Sequence, residues 1–469
     1  MHVYVIYLIF SSILIKNHNI FLIRRLIMIQ LSEHFTYKKL LRFVIPSIVM
    51  MIFTSIYNIV DGFFVSNFAG KTALASINLI LPIVMGLASF GFMIGTGGSA
   101  IVAKTFGEGK KEKANEYFSM LVYATIILGI ILSIAGSLLV PHIAKALGAQ
   151  GELLSNSILY ARINFISLPA FMLQNVFQSF FVTAEKPKIG LCFILLSGFT
   201  NIILDIVLVA ILGFGLTGAA LATVCGEMLG GFAPLLYFAR KNSSLLKLGK
   251  TKFYGRTLYY TCINGSSELM TNISSSIVNS LYNLQLMKFA GENGVAAYGF
   301  IMYVNFIFVA IYIGYSMGSA PIISYNYGAG NHNELKNMFK KSLTLVAIWG
   351  ICLASLAQLL NAPLSKMFVG YDEALLNLTQ QGFRIYALVF LLSGFDIFGS
   401  SFFTALNNGI VSAVISFLRT LVFQIGAVII LPAIYGLNGI WSAVVVAEAL
   451  TLLVTITCLV RYRKRYHYA

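Results

Sequence analysis

Asn201 and Asp205 stand four residues apart, so on a helix they share one face. They lie within Ile189–Leu212, 24 residues with no charge other than Asp205. About 20 residues rising about 1.5 Å each cross roughly 30 Å of hydrocarbon, so this run reads as a transmembrane helix. A carboxylate is costly at such depth, and one kept there points to an ion site, a proton relay or a substrate contact. The competing reading is a structural aspartate bonded to a neighbouring helix. Partners supplied by the rest of the chain decide between the two.

Five other acidic residues of the 16 also fall in apolar runs: Asp61, Glu227, Glu268, Asp396 and Glu448. Asp61 lies near the outer end of its run. Asp205 is 16 residues into its own, about 24 Å from the inner face. Thr223 is seven residues below the outer start of the next run. Asp61, Asn201, Asp205 and Thr223 are therefore expected to meet in the outer half of one bundle. Two carboxylates, an amide and a hydroxyl make a site for a hard cation, or a pair whose crowding holds a proton.

The elements that must position these residues are membrane helices. The chain has 469 residues, 58% of them hydrophobic and 10% charged, with a mean hydropathy of +0.85, far from a soluble composition. Twelve spans are expected: Phe43–Phe64, Leu74–Val102, Phe118–Val140, Tyr160–Ala184, Ile189–Leu212 and Leu216–Phe238, then Leu258–Phe289, Val295–Tyr325, Ser342–Leu364, Phe383–Leu406, Ile410–Leu431 and Leu437–Val460. A polar linker at 241–257 separates an N-lobe at 38–240 from a C-lobe at 258–469. Residues 1–37 form an N-terminal segment. In it Val3–Ile15 is too short for a comfortable span, and Met28 begins a more ordinary start than Met1.

The net charge of +16 does not indicate nucleic acid, because the bases cluster in short gaps between apolar runs. With the N-terminus inside, the inner segments hold 22 Lys and Arg residues, against four in the outer loops (Lys71, Lys145, Lys288, Lys366). The positive-inside rule then puts both termini in the cytoplasm. The five cysteines lie in apolar runs with no CxxC spacing and read as small core residues.

The halves repeat. Gly107-Glu-Gly109 returns as Gly328-Ala-Gly330, Phe181-Val-Thr-Ala as Phe402-Phe-Thr-Ala, and Gly215-Leu-Thr-Gly-Ala as Gly436-Leu-Asn-Gly-Ile, all at a shift of 221. Six spans per repeat is an even number, so both halves cross in the same sense, a design found in secondary transporters. Glu268 and Asp396 fall near the midplane of the second bundle, opposite Ser47 and Asn175 of the first. The two lobes are thus expected to do different jobs. Glu227 and Glu448 do correspond, which suggests a structural role bonded to neighbouring backbones. Arg419, early in its span, is expected to snorkel to the cytoplasmic surface. Pro46, Gly62, Gly91 and Gly95 mark places where spans 1 and 2 are expected to bend, or to pack closely.

From about Leu31 to the C-terminus the chain resembles the multidrug and toxic compound extrusion (MATE) family, including a first-span signature in Tyr57-Asn-Ile-Val-Asp61-Gly-Phe-Phe-Val65. Ser66-Asn67 departs from it where Gly is more usual. The resemblance implies an all-α protein with two six-helix bundles and no enzymatic activity. It also implies an N-lobe cation site at Asp61, Asn201, Asp205 and Thr223, where Na+ is one option. Glu268 and Asp396 resemble carboxylates that couple drug and cation in the C-lobe. The implied function is plasma-membrane efflux of lipophilic cationic drugs or dyes in exchange for H+ or Na+, without other cofactors, by a monomer.

A lipid-linked oligosaccharide flippase of the same superfamily is the alternative, and would need Arg and Lys in its cavity. A membrane-embedded enzyme lacks support, since all six histidines lie at termini, in loops or at span ends.

Overall fold

The computed structural model describes residues 29–469, so Val3–Ile15 and the Met28 start lie outside the described residues. All regular structure among these residues is helical. The helices are α1 (Tyr37–Ala69), α2 (Lys71–Gly107), α3 (Lys111–Ala146), α4 (Gly151–Thr183), α5 (Pro187–Ile211), α6 (Gly215–Ala239), α7 (Gly255–Gly328), α8 (His332–Val369), α9 (Glu373–Ala405), α10 (Gly409–Tyr435) and α11 (Leu437–Tyr466). These 11 helices are long and apolar enough to cross a membrane. Eight prolines sit inside them, from Pro46 to Pro432. In a membrane bundle neighbouring helices, Ser and Thr side chains and local adjustments of the helix take up the backbone groups a proline frees, so such helices tolerate it.

Two expected spans, Leu258–Phe289 and Val295–Tyr325, run together as the 74-residue α7, which at about 1.5 Å per residue is several bilayer thicknesses long. Its backbone breaks at Gly291 (φ +62°, ψ −151°). Gly70, 221 residues earlier, ends α1 with φ +90°. Both conformations suit only glycine, which has no Cβ to clash. Gly109 and Gly330, and Gly215 and Gly436, are further positive-φ pairs at that spacing.

The halves meet where glycine lies against backbone. A Cβ on Gly107 would sit 2.0 Å from the Tyr325 carbonyl oxygen, and one on Gly328 would sit 2.1 Å from that of Lys104. Each contact becomes the other on a shift of 221. Above them, a Cβ on Gly265 would lie 1.9 Å from the Met93 carbonyl oxygen, and one on Gly314 would lie 2.5 Å from Ile48 Cα. Gly91 and Gly95 are packing glycines too, facing the backbones of Met172 and Val176, which accounts for them without a bend. No cysteine is buried: Cys192, Cys225 and Cys352 are exposed, Cys262 and Cys458 half-buried, and all five are free. This corrects their reading as core residues; a small apolar thiol is equally at home facing lipid. The 240–254 linker is fastened along the start of α3, with Lys247 N–H donating to Asn115 Oδ1 (2.7 Å) and Gly249 N–H to Ser119 Oγ (3.0 Å).

Before α1 a short strap crosses the basic end of the molecule. Leu31 and Phe35 are fully buried in it. The Leu31 N–H donates to Glu185 Oε1 (2.7 Å) between α4 and α5, and Asn326 of α7 donates to the Leu31 carbonyl (3.3 Å). The Phe35 N–H donates to Glu334 Oε1 (2.9 Å), while Asn337 Nδ2 and Lys341 Nζ of α8 donate to its carbonyl (3.0 and 2.5 Å). The strap therefore ties one half to the other.

Two outcomes are expected. Gly107→Ala should loosen the seam by about 1–3 kcal/mol, as overpacking does, and paired spin labels on α2 and α7 at the basic end should move apart. For the strap, burial pushes the Glu185 carboxyl up from 4.5 to about 7, against the opposing pull of the Leu31 N–H and Lys186. Docking therefore takes up a proton, so its stability is full below 4.5 and is lost as pH rises through about 7. The Leu31 amide should exchange hydrogen faster, relative to its intrinsic rate, at pH above that value than below it, and Glu185→Gln should remove the difference.

Candidate functional site

Asp205 opens a π-helical turn, Asp205–Ile211, at the end of α5. π-Turns widen a helix locally and recur at functional sites. Asp205 is fully buried and Asn201, one turn before it, is 4% exposed. Asp61 on α1 and Thr223 on α6 are half-buried. The Asp61 carboxyl is within hydrogen-bonding reach of the side chains of Asp205, Asn201 and Thr223. The four residues read from the sequence as one cluster are thus together.

Their oxygens lack donors. Asp61 Oδ1, Asn201 Oδ1 and both carboxylate oxygens of Asp205 are buried without a hydrogen bond, although buried polar atoms are nearly always paired. The Thr223 hydroxyl gives its hydrogen to the Ala219 carbonyl (3.1 Å), leaving its oxygen lone pairs free. Converging acceptors with no donor fit a proton or a small hard cation such as Na+, which prefers oxygen ligands.

Around this cluster lie groups that the sequence reading passed over. Tyr57 and Tyr160 are close enough to Asp61 and Glu227 to interact electrostatically. Tyr57 sits four residues before Asp61, one helical turn away, at the start of the first-span signature. Glu227 accepts from Ser167 Oγ (2.5 Å) on α4.

The second half differs. Arg419 lies in the π-helical turn Leu418–Phe423 of α10, the counterpart of α5. Its Nε donates to Glu448 Oε1 (2.8 Å) and Oε2 (3.0 Å), with side-chain exposures of 16% and 2%. Arg419 does not snorkel: Glu448 on α11 supplies the counter-charge inside, so the guanidinium stays buried. Glu227 and Glu448, expected to bond neighbouring backbones alike, instead hold side chains, and different ones.

Asp396 on α9 is fully buried. Its Oδ1 accepts from Thr455 Oγ1 (2.8 Å), Oδ2 has no donor, and its carboxyl is within hydrogen-bonding reach of Glu448. It lies inside the bundle. Glu268 is half-buried. It sits one turn beyond Gly265, whose backbone meets Met93, so it is on the face of α7 turned to the other half.

Comparison with known proteins gives these features a family. The MatE family model matches the chain twice, at residues 46–207 and 269–430. Multidrug export protein MepA of Staphylococcus haemolyticus is 25% identical over 422 residues, 89% of this chain and 92% of that protein. MepA of Staphylococcus aureus (strain NCTC 8325 / PS 47) is 23% identical, over 92% of this chain and 94% of its own length. A solved multidrug resistance MATE family transporter of the MOP superfamily, in its outward-facing conformation, superposes with a TM-score of 0.86 at 22% identity, covering 93% of this chain and 97% of that one. Asp61, Asn201, Asp205, Asp396 and Arg419 lie within the two family matches, and Glu268 falls one position before the second. Together with the 11 long apolar helices, they show that the chain is a multi-pass membrane protein and belongs to the MatE family, the MATE transporters.

Proposed function

We propose that the chain is a secondary active multidrug efflux antiporter, exporting lipophilic organic cations in exchange for H+ or Na+ by alternating access. The observation that carries this reading is the group of buried, donor-less oxygens on Asp61, Asn201 and Asp205. Such a group has a reason to persist in an apolar bundle when a cation or proton visits it. Two six-helix bundles move against each other in this reading, twelve spans in all, with the break at Gly291 separating spans seven and eight. The doubled family match and the contacts that repeat at 221 support that division. The basic end is cytoplasmic, in keeping with the 22-to-four distribution of Lys and Arg.

The cycle follows from differential affinity. The seam glycines and the strap close the basic end, and the N-lobe site lies toward the opposite end. An ion binding Asp61 and Asp205 from outside favours this arrangement, in which drug leaves. Drug entering from the cytoplasm favours the other, with its positive charge met by Glu268 at the seam. Asp396 acts indirectly, through Glu448. Each ligand needs only to bind one arrangement more tightly than the other. A flippase for lipid pyrophosphate would need free bases, and the buried Arg419 is already paired.

The test is dye efflux from everted vesicles driven separately by a sodium gradient and a pH gradient. Asp205→Asn, nearly isosteric, should abolish coupled efflux while expression stays near normal, and Asp61→Asn should do the same. Thr223→Val should weaken sodium-driven efflux more than proton-driven efflux if sodium is the ion. Unchanged efflux in Asp205→Asn would overturn the reading.

A further inference from the structure

Each half carries three acids within its apolar runs, Asp61, Asp205 and Glu227 in the first and Glu268, Asp396 and Glu448 in the second, yet among the described residues only the second pairs one of them with a base. The position 221 before Arg419 is Gly198, where a Cβ would lie 2.4 Å from the Phe53 ring. The aromatic ring fills the space that a side chain would need there. The guanidinium is therefore peculiar to the second half.

Arg419 is held at both carboxylate oxygens of Glu448. Its π-helical turn packs against α7, the helix of Glu268, and against α11. Its charge acts on Glu268 and on Asp396. In a poorly screened interior a fixed charge is felt well beyond contact distance. Of the three acids, Glu448 is tied to Arg419, Asp396 is sealed behind Thr455, and only Glu268 reaches the seam.

We propose that Arg419 is a built-in cation that sets the charge class of the substrate, leaving Glu268 as the single open carboxylate so that singly charged organic cations are taken in preference to doubly charged ones. This rests on Glu268 meeting the substrate's charge. A dication would bring its second charge against the guanidinium with no carboxylate left to answer it. Discrimination of this kind comes from a repulsive element as much as from an attractive one.

The test compares binding of tetraphenylphosphonium, with one charge, and dequalinium, with two, to the full purified chain. Arg419→Gln should shift the ratio of dissociation constants toward dequalinium by about tenfold, and Arg419→Lys should keep the original ratio. Glu448→Gln leaves the guanidinium without its partner and should shift the ratio the opposite way. An unmoved ratio in Arg419→Gln, or shifts of the same sign in Arg419→Gln and Glu448→Gln, would overturn the proposal. A purely structural ion pair would give that same-sign result. If Arg419→Gln does not fold, Glu448→Gln decides alone: a ratio that stays put or moves toward dequalinium sinks the idea. Glu268→Gln separates the two readings. Unchanged tetraphenylphosphonium binding there overturns the role of Glu268 and this proposal with it. Lost binding there with an unmoved ratio in Arg419→Gln overturns the role of Arg419 alone.

Discussion

Burying a carboxylate among apolar helices is the constraint on which the rest of this structure depends. Water cannot answer such a charge, so something else must. The two halves answer differently. The second builds the answer into its own chain as the Arg419–Glu448 pair, with Thr455 on Asp396. The first leaves one oxygen of Asp61 and both of Asp205 buried without a hydrogen bond. The second half thus carries a counter-charge for one of its buried acids, and among the described residues the first carries none for Asp61 or Asp205. That asymmetry gives the two halves different electrostatics on sequences related by a shift of 221.

The second constraint is the backbone's. Helices approach to contact distance only where a side chain is missing, and the seam is made of such places: Gly107 on Tyr325, Gly328 on Lys104, Gly265 on Met93. The first two contacts exchange under the internal repeat, so the halves meet at a point of near symmetry. The strap through Leu31 and Phe35 adds polar bonds at that end, drawn from α7 and α8 on one side and Glu185 on the other.

π-Helical turns connect the two constraints. Both Asp205 and Arg419 ride on one, in the corresponding helices α5 and α10. A π-turn shifts the register of the side chains that follow it and frees backbone carbonyls. The fold keeps this irregularity in the helix where each half carries its decisive charge, although the charges are opposite in sign.

The sequence by itself determined the class and the frame. Apolar run lengths, the clustering of Lys and Arg, and the 221-residue repeat follow from bilayer thickness and chain periodicity, which are local or one-dimensional properties. It also determined the membership of the first cluster, because Asn201 and Asp205 share a face by helical spacing, and depth alone brings Asp61 and Thr223 level with them. Tertiary structure decided what spacing cannot encode. Arg419 looked like a surface residue because its partner, Glu448, is 29 positions away on another helix. Asp396 and Glu268 looked alike at the midplane, yet one is sealed in its bundle and the other lies on the seam, a matter of rotation about the helix axis against neighbours. The cysteines went from core to exposed or half-buried positions for the same reason: in a membrane both faces are apolar, so composition does not tell inside from outside.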